Sequence, residues 1–233
     1  MNWPDDYLIP GITPFHQEEE GIIYCGDCRE ILPKLPRVDL VLADPPYDVH
    51  AGKCGGCFGN RKSLVNTGGF TDGGCDYEFL FNIPNWFCFC SRKQLRVLLG
   101  IAENCERFNI LSWCKPNPIP TCNNKYLPDI EFIVHGYQSG RLFGGMSIKS
   151  CFFVHPCGRK ETEHPNEKPT ALIRKLINLG TLLGEIVCDP YLGSGTTAVA
   201  AKELGRRFIC VDIEEKYCEI AVKRLRQGIL NYR

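Results

Sequence analysis

Asp44, Pro45, Pro46 and Tyr47 close an apolar run in the stretch VDLVLADPPYDVH, and their types could do chemistry. A run rich in Val and Leu and stopped by Pro reads as a short buried strand. Two consecutive prolines have no place inside a sheet, because each removes a backbone donor. The chain must therefore leave the sheet at Asp44, in a stiff extended bend that displays a carboxylate and an aromatic ring. Such a bend suits a ligand that is flat and polar.

A second set of acids lies near the C-terminus, in EIVCDPYLGSGTTAVAAKELGRRFICVDIEE. This reads as a strand, a glycine turn, a helix, a second strand and a terminal acid. The glycines let backbone approach a ligand closely, and Asp212 can accept hydrogen bonds from ribose hydroxyls. Gly193-x-Gly195-x-x-Ala198, with Asp212 nineteen positions after Gly193, meets the dinucleotide fingerprint, so an NAD-linked dehydrogenase is a rival reading. Two features oppose it. The chain ends one strand and one helix beyond the glycine helix, and Asp189, directly after the first strand, would repel a pyrophosphate. A carboxylate there suits a ligand carrying positive charge, and S-adenosylmethionine, with its ammonium and sulfonium groups, is one.

Elements must hold these groups in place. GIIYCGD reads as a strand, and DCREILPKL opens a helix through an Asp27-x-x-Glu30 arrangement that resembles a capping box. VDLVLA and NWFCFC are strands, and SRKQLRVLLGIAE is a helix capped by Ser91. RFNILSWC and IEFIVHGY leave little room for a helix between them, which predicts an antiparallel hairpin at one edge. TALIRKLINLG is a helix closed by Gly180, another begins at about Gly195, and EEKYCEIAVKRLRQG is the last. Alternation of this kind predicts a mostly parallel sheet with helices on both faces. If GIIYCGD packs beside RRFICVD, the strand missing from the cofactor half comes from the other end of the chain, and the fold is circularly permuted. Two segments interrupt the pattern, 49–71 and roughly 138–166, and loops this long are usually functional.

The 233 residues suit one domain, and 44% hydrophobic with 23% charged is ordinary globular composition. Formal net charge is zero, so a nucleic-acid partner would have to be met by a local patch. The opening MNWPDDYLIPGITPF has neither a basic start nor a long apolar core, and no apolar run reaches membrane-spanning length. A cytoplasmic protein without a membrane partner is expected. Fifteen cysteines, an odd count, read mostly as reduced structural thiols. Cys25/Cys28 straddle a strand end and helix start. Cys54/Cys57 have zinc-knuckle spacing but no second pair at matching spacing, so no metal is expected.

DPPY upstream, HPNEKP in the middle and DPYLGSGTT downstream together resemble the signature motifs of amino-group DNA methyltransferases, the N6-adenine/N4-cytosine family, in the permuted order of its beta class. The likeness spans about Gly21 to Arg226. It implies a Rossmann-like S-adenosylmethionine-dependent methyltransferase fold, an α/β seven-stranded sheet in the order 3-2-1-4-5-7-6 with strand 7 antiparallel. Within one domain, 21–137 would be the catalytic half, 138–166 a short target-recognition insertion and 167–228 the cofactor-binding half. By the same resemblance Asp189, Gly193 and Gly195 line the methionine side of S-adenosylmethionine, with Thr196 and Thr197 starting the helix behind it. Asp212 takes the ribose hydroxyls, Asp27 reaches the adenine, and Lys168 lies near the cofactor's carboxylate end.

The DPPY bend then has a defined task. An exocyclic amino nitrogen is a poor nucleophile because its lone pair is delocalised into the ring. Hydrogen bonds accepted by the Asp44 carboxylate and the Pro45 carbonyl would localise that pair, and proline's fixed φ holds the carbonyl in advance. Pro46 stiffens the bend, and Tyr47 offers a face to a base flipped from the duplex, where stacking is worth about 1–3 kcal/mol. Methyl transfer in line from a sulfonium needs no metal. Double-stranded DNA is the expected partner, with Lys53, Arg61 and Lys62 in one acid-free loop and Arg141 and Lys149 in another as phosphate contacts. The insertion is short for unaided specificity, which dimerisation, common in this class, would offset.

Adenine N6 is the expected target, since Asp is the form of the tetrad associated with it, and restriction–modification is the setting that the resemblance implies. Cytosine N4, where Ser more often replaces Asp, and adenine N6 in RNA are the alternatives. A protein glutamine methyltransferase would usually carry Asn at position 44, and a catalytically dead partner subunit would not need both DPPY and DPYLGSG intact.

Overall fold

A computed structural model describes residues 2–46, 77–80, 83–118, 126–157, 162 and 167–230. In chain order these form β1 (His16–Gln17), β2 (Gly21–Cys25), α1 (Cys28–Ile31), β3 (Leu40–Ala43), β4 (Asn85–Cys90), α2 (Leu95–Ala102), β5 (Arg107–Cys114), β6 (Ile130–Tyr137), β7 (Phe152–Val154), α3 (Thr170–Gly180), β8 (Ile186–Asp189), α4 (Thr196–Glu203), β9 (Arg207–Asp212) and α5 (Glu215–Leu230). The nine strands described make one sheet, ordered β1-β2-β9-β8-β3-β4-β6-β5-β7. Its central seven, β2 to β5 across the sheet, stand in the expected order, with β6 antiparallel to both neighbours. β2 runs parallel to β9, Gly21 opposite Phe208 through Cys25 opposite Asp212, so the two ends of the chain do complete one sheet.

Two short strands extend the expected sheet. β1 folds back on β2, and β7 lies parallel to β5, drawing part of the anticipated insertion into the sheet. The central strands are apolar on both sides because helices cover both faces. Leu40, Leu42, Phe87 and Phe208 meet Leu172, Leu176 and Ile177 of α3, Ala198 and Ala201 of α4, and Leu225 of α5. Val41, Trp86 and Val211 face the other way, toward Tyr7, Ile31 of α1, and Leu98 and Ile101 of α2. The described cysteines are free thiols, and Cys88, Cys90, Cys188, Cys210 and Cys218 are buried among these residues.

Three local readings change. α2 begins at Leu95, three residues later than a Ser91 cap suggests; Gln94 reaches back instead, its Oε1 accepting from Ser91 N at 3.0 Å. α3 does end at Gly180, but no left-handed turn requires the glycine. A Cβ there would stand 3.0 Å from Leu40 and 3.1 Å from Phe87, so glycine lets the helix end sit against the sheet. Arg141 is not a phosphate contact. Its guanidinium forks onto Glu185 at 2.8 and 3.1 Å and donates to Asp39 O at 3.2 Å, at the amino ends of β3 and β8. Nearby, Asn85 donates to Gly180 O at 2.7 Å and meets His135 Nε2 at 2.9 Å. Burial between Phe87 and Tyr137 pushes the His135 ring down to about 3, so it stays neutral.

Gly195 is a position where backbone conformation and backbone packing both require glycine. Its φ is 78°, and a Cβ would lie 2.6 Å from Ala221 Cβ and 2.7 Å from Ala221 Cα, backbone that cannot yield. Gly195→Ala should combine left-handed strain of about 1–2 kcal/mol with overpacking of about 1–3 kcal/mol. Calorimetry should show melting roughly 5–15 °C lower. A shift under about 2 °C would mean that α5 does not hold this turn.

Candidate active site

From β8 the chain proceeds through α4 to β9 on one side, and β3 leads to β4 on the other. Neighbouring β8 and β3 therefore flank a switch point, and ligands of open parallel sheets bind in the crevice beyond the strands' carboxyl ends at such points. Asp44 follows β3, Asp189 ends β8 and Asp212 ends β9. The apolar strands stop there because Pro45 and Pro190 cannot continue a ladder.

The glycine turn is built on two of these acids. Asp212 Oδ2 accepts from Gly193 N at 2.7 Å and Oδ1 from Glu214 N at 2.9 Å, tying the turn to the end of β9. Gly193, at φ 50°, permits that approach. Asp189 Oδ1 accepts from Tyr191 N at 2.9 Å, and the Thr197 side chain also bonds this carboxylate. Burial pushes the Asp189 carboxyl up to about 7, opposed by those hydrogen bonds and reinforced by Asp44 and Asp212 nearby. Burial also raises Asp212. A crevice of three acids, two of them reluctant to ionise, disfavours an anion and would be relieved by a cation. The acids and the glycine turn thus fit a positively charged ligand.

Thr196 starts α4 behind the turn, as expected. Its hydroxyl accepts from Arg224 Nη1 of α5 at 2.9 Å, and Arg224 also donates to Ser194 O at 2.9 Å and pairs with Glu167 at 3.1 Å. Thr196 therefore buttresses the turn from behind rather than lining the crevice. Asp27 caps α1, accepting from Arg29 N at 2.9 Å and pairing with the Arg29 guanidinium, which holds its carboxyl below the usual range. Gly26 N donates to Asp212 O at 2.8 Å, which keeps this cap at the same end of the sheet.

Lys168 is tied to two acids of the fold. Its Nζ lies 2.9 Å from Asp44 Oδ1, 2.7 Å from Oδ2 and 3.3 Å from Glu131 Oε2, with the Phe89 ring 4.9 Å away. Burial alone would push the ammonium down, but Asp44 and Glu131 outweigh it and raise it. Glu131, which also pairs with Lys115, is held below the usual carboxylate range despite burial, through Lys168 and Lys115. The Asp44 bend is held from the other side by Gln94 Nε2, which donates to Pro46 O at 3.1 Å. Glu131, Gln94 and Arg224 were missed from sequence. An acid inside the strand IEFIVHGY was the available signal for the first. Tyr47, Lys53, Cys54, Cys57, Arg61 and Lys62 lie outside the described residues, and Lys149 is exposed after the turn at Met146–Ile148. Among the described residues no group of His, Cys, Asp or Glu could hold a metal ion, and no helix is long and apolar enough to cross a membrane.

Known proteins are similar to this chain in sequence and in fold. The DNA methylase family model matches residues 144–223. The chain is 28% identical to type II methyltransferase M2.LlaDCHI of Lactococcus lactis subsp. cremoris, over 96% of this chain and 97% of that protein. It is likewise 28% identical to M2.DpnII of Streptococcus pneumoniae, over 95% and 96%. The crystal structure of the M1.HpyAVI–SAM complex superposes with a TM-score of 0.63 at 29% identity, covering 87% of this chain and 98% of that one. The cytosine-N4-specific PvuII DNA methyltransferase shares the fold at 15% identity and a TM-score of 0.69, over 92% and 89%. These similarities, to a DNA methylase family model over part of the chain and to type II methyltransferases over nearly all of it, support an amino-group methyltransferase.

Asp189 makes a pH prediction. Because its folded value is raised to about 7 from 3.8, its contribution to stability is complete below about 3.8 and lost as pH rises through about 7. In denaturant titrations without ligand, the stability of the parent relative to Asp189→Asn should fall between about pH 4 and 7, with a slope approaching about 1.4 kcal/mol per unit. A difference independent of pH would show Asp189 to be ionised throughout.

Proposed function

We propose that this protein transfers a methyl group from S-adenosylmethionine to the N6 amino group of a flipped adenine in double-stranded DNA. The observation that carries the reading is the Asp44 carboxylate, presented on a proline bend at the switch point beside the Asp189–Asp212 glycine crevice. S-adenosylmethionine, when bound, supplies an electrophilic methyl group on a sulfonium. Asp189 and Asp212 offer the negative charge that suits its cationic end and its ribose hydroxyls. Asp44 accepts a hydrogen bond from one amino N–H and the Pro45 carbonyl from the other, which makes the nitrogen lone pair available for attack. Asp189, Gly193 and Asp212 would hold the cofactor, which would supply its methyl group to this nitrogen, and the amino proton then lost would pass to the Asp44 carboxylate or to water. Positioning supplies most of the rate. Tyr47 stacks on the base, and Lys53, Arg61, Lys62 and Lys149 meet phosphate. We propose DNA modification of the restriction–modification kind as the setting.

Product identity is the direct test. Methyl-labelled S-adenosylmethionine and DNA should yield N6-methyladenine on digestion to nucleosides and mass spectrometry. Label in N4-methylcytosine would overturn the base, and label only in RNA or protein would overturn the substrate class.

The two halves of the site should also separate. Asp44→Ala is expected to lower turnover at least about a hundredfold while cofactor binding survives. Asp212→Ala should weaken cofactor binding itself, since it removes both the ribose acceptor and the Gly193 tether. Titration calorimetry on both variants decides this, and equal cofactor loss in the two would undo the assignment.

A further inference from the structure

The carboxylate proposed to activate the base is one of four linked charges. Asp44 follows β3, Lys168 precedes α3, Glu131 lies in β6 and Lys115 follows β5. Lys168 bridges Asp44 and Glu131 at 2.7 and 3.3 Å, and Glu131 pairs in turn with Lys115. Two charges of each sign cancel, which lets the group sit largely out of water; the Lys168 side chain is 9% exposed and that of Glu131 18%. Aromatic rings face both cations, Phe89 at 4.9 Å from Lys168 and Trp113 at 4.6 Å from Lys115.

The geometry gives Glu131 two effects on Asp44, both through the shared ammonium. A cation held by one carboxylate can swing about it, whereas one held by two, from different strands, is fixed in direction. Glu131 also takes part of the ammonium's hydrogen bonding and field. Asp44 is thereby left more able to accept from an amino N–H than if Lys168 were its alone. We infer that Glu131 is a positioning residue for methyl transfer, acting through Lys168 to fix the orientation and acceptor strength of the Asp44 carboxylate. This rests on the methyltransferase reading of the site and assigns its rate-controlling support to a strand on the far side of β4.

Glu131→Gln removes the charge and keeps the shape. It should lower kcat at least about tenfold, since small misplacements of reacting groups carry large rate penalties. KM for DNA and affinity for S-adenosylmethionine should stay within about twofold. The alkaline fall of kcat should move to lower pH, because Lys168 loses one of the two carboxylates that offset its burial. Among the charged neighbours, Glu167 is engaged by Arg224, while the Cys90 thiol, pushed up to about 12 by burial and by Glu131, would also come down in this variant, so the limb is compared with and without Cys90→Ala to isolate Lys168. Glu131→Asp, which keeps the charge, should recover part of the rate, and it can carry the experiment should Glu131→Gln fail to fold. The decisive measurement is a double-mutant cycle. On a Lys168→Met background either change at Glu131 should alter kcat less than about twofold. Losses that multiply independently, or a fall in cofactor affinity with Glu131→Gln, would overturn the inference. A parent protein that labels no base at all would overturn the methyltransferase reading instead.

Discussion

Acids gathered beyond β3, β8 and β9 repel one another, and much of the surrounding architecture answers that repulsion. Asp212 is quieted by two backbone N–H groups, Asp189 by Tyr191 N and Thr197, and Asp44 by the Lys168 ammonium. Each remedy comes from a different source, so the three carboxylates are not equivalent. Asp44 keeps a full counter-ion, whereas Asp189 has none among its described partners and leans toward its protonated form. A cationic ligand would therefore draw its electrostatic welcome chiefly from the glycine side of the crevice.

The supports behind this arrangement are asymmetric too. On the cofactor side they are helical: α5 presses Ala221 against Gly195 and sends Arg224 to Ser194 and Thr196. On the DPP side they are β-structure and a helix start, with Glu131 reaching Lys168 and Gln94 holding Pro46 O. Packing and the Arg224 guanidinium together fix the first, and polar contacts fix the second. Van der Waals packing tolerates little change of volume, while charged contacts depend on pH and on neighbours.

What was legible in the sequence follows from how local each signal is. LVLA and IVCD read as buried strands because apolar character and the prolines after them lie within a few residues. Asp189 and Asp212 were legible for the same reason, each ending such a run. The pairing of β2 with β9 was inferred from a missing strand, and the register bears it out. The bond from Lys168 to Asp44 was not legible, because the two are 124 positions apart and nothing near HPNEKP announces it. Arg141 looked like a free cation in an acid-free stretch, yet Glu185 and Asp39 wait for it across the fold. Gly180 ended its helix as expected, but for the sake of Leu40 and Phe87, which no local pattern could indicate. Ser91 lost the helix start to Gln94, whose second bond to Pro46 is long-range.

The pairing of β2 with β9 also orders events during synthesis. The strand that completes the glycine half is synthesised almost two hundred residues before its partner, Gly21 against Phe208. Contacts so distant in sequence are slow to form, because the closure entropy of the intervening chain must be met before they contribute. An N-terminal fragment made on its way to the full chain holds the DPP bend without Asp189, the glycine turn or Asp212. A nascent chain of this topology therefore lacks the glycine crevice until β8 and β9 have been made, and the pairing of β9 with β2 and β8 is what closes the sheet around it.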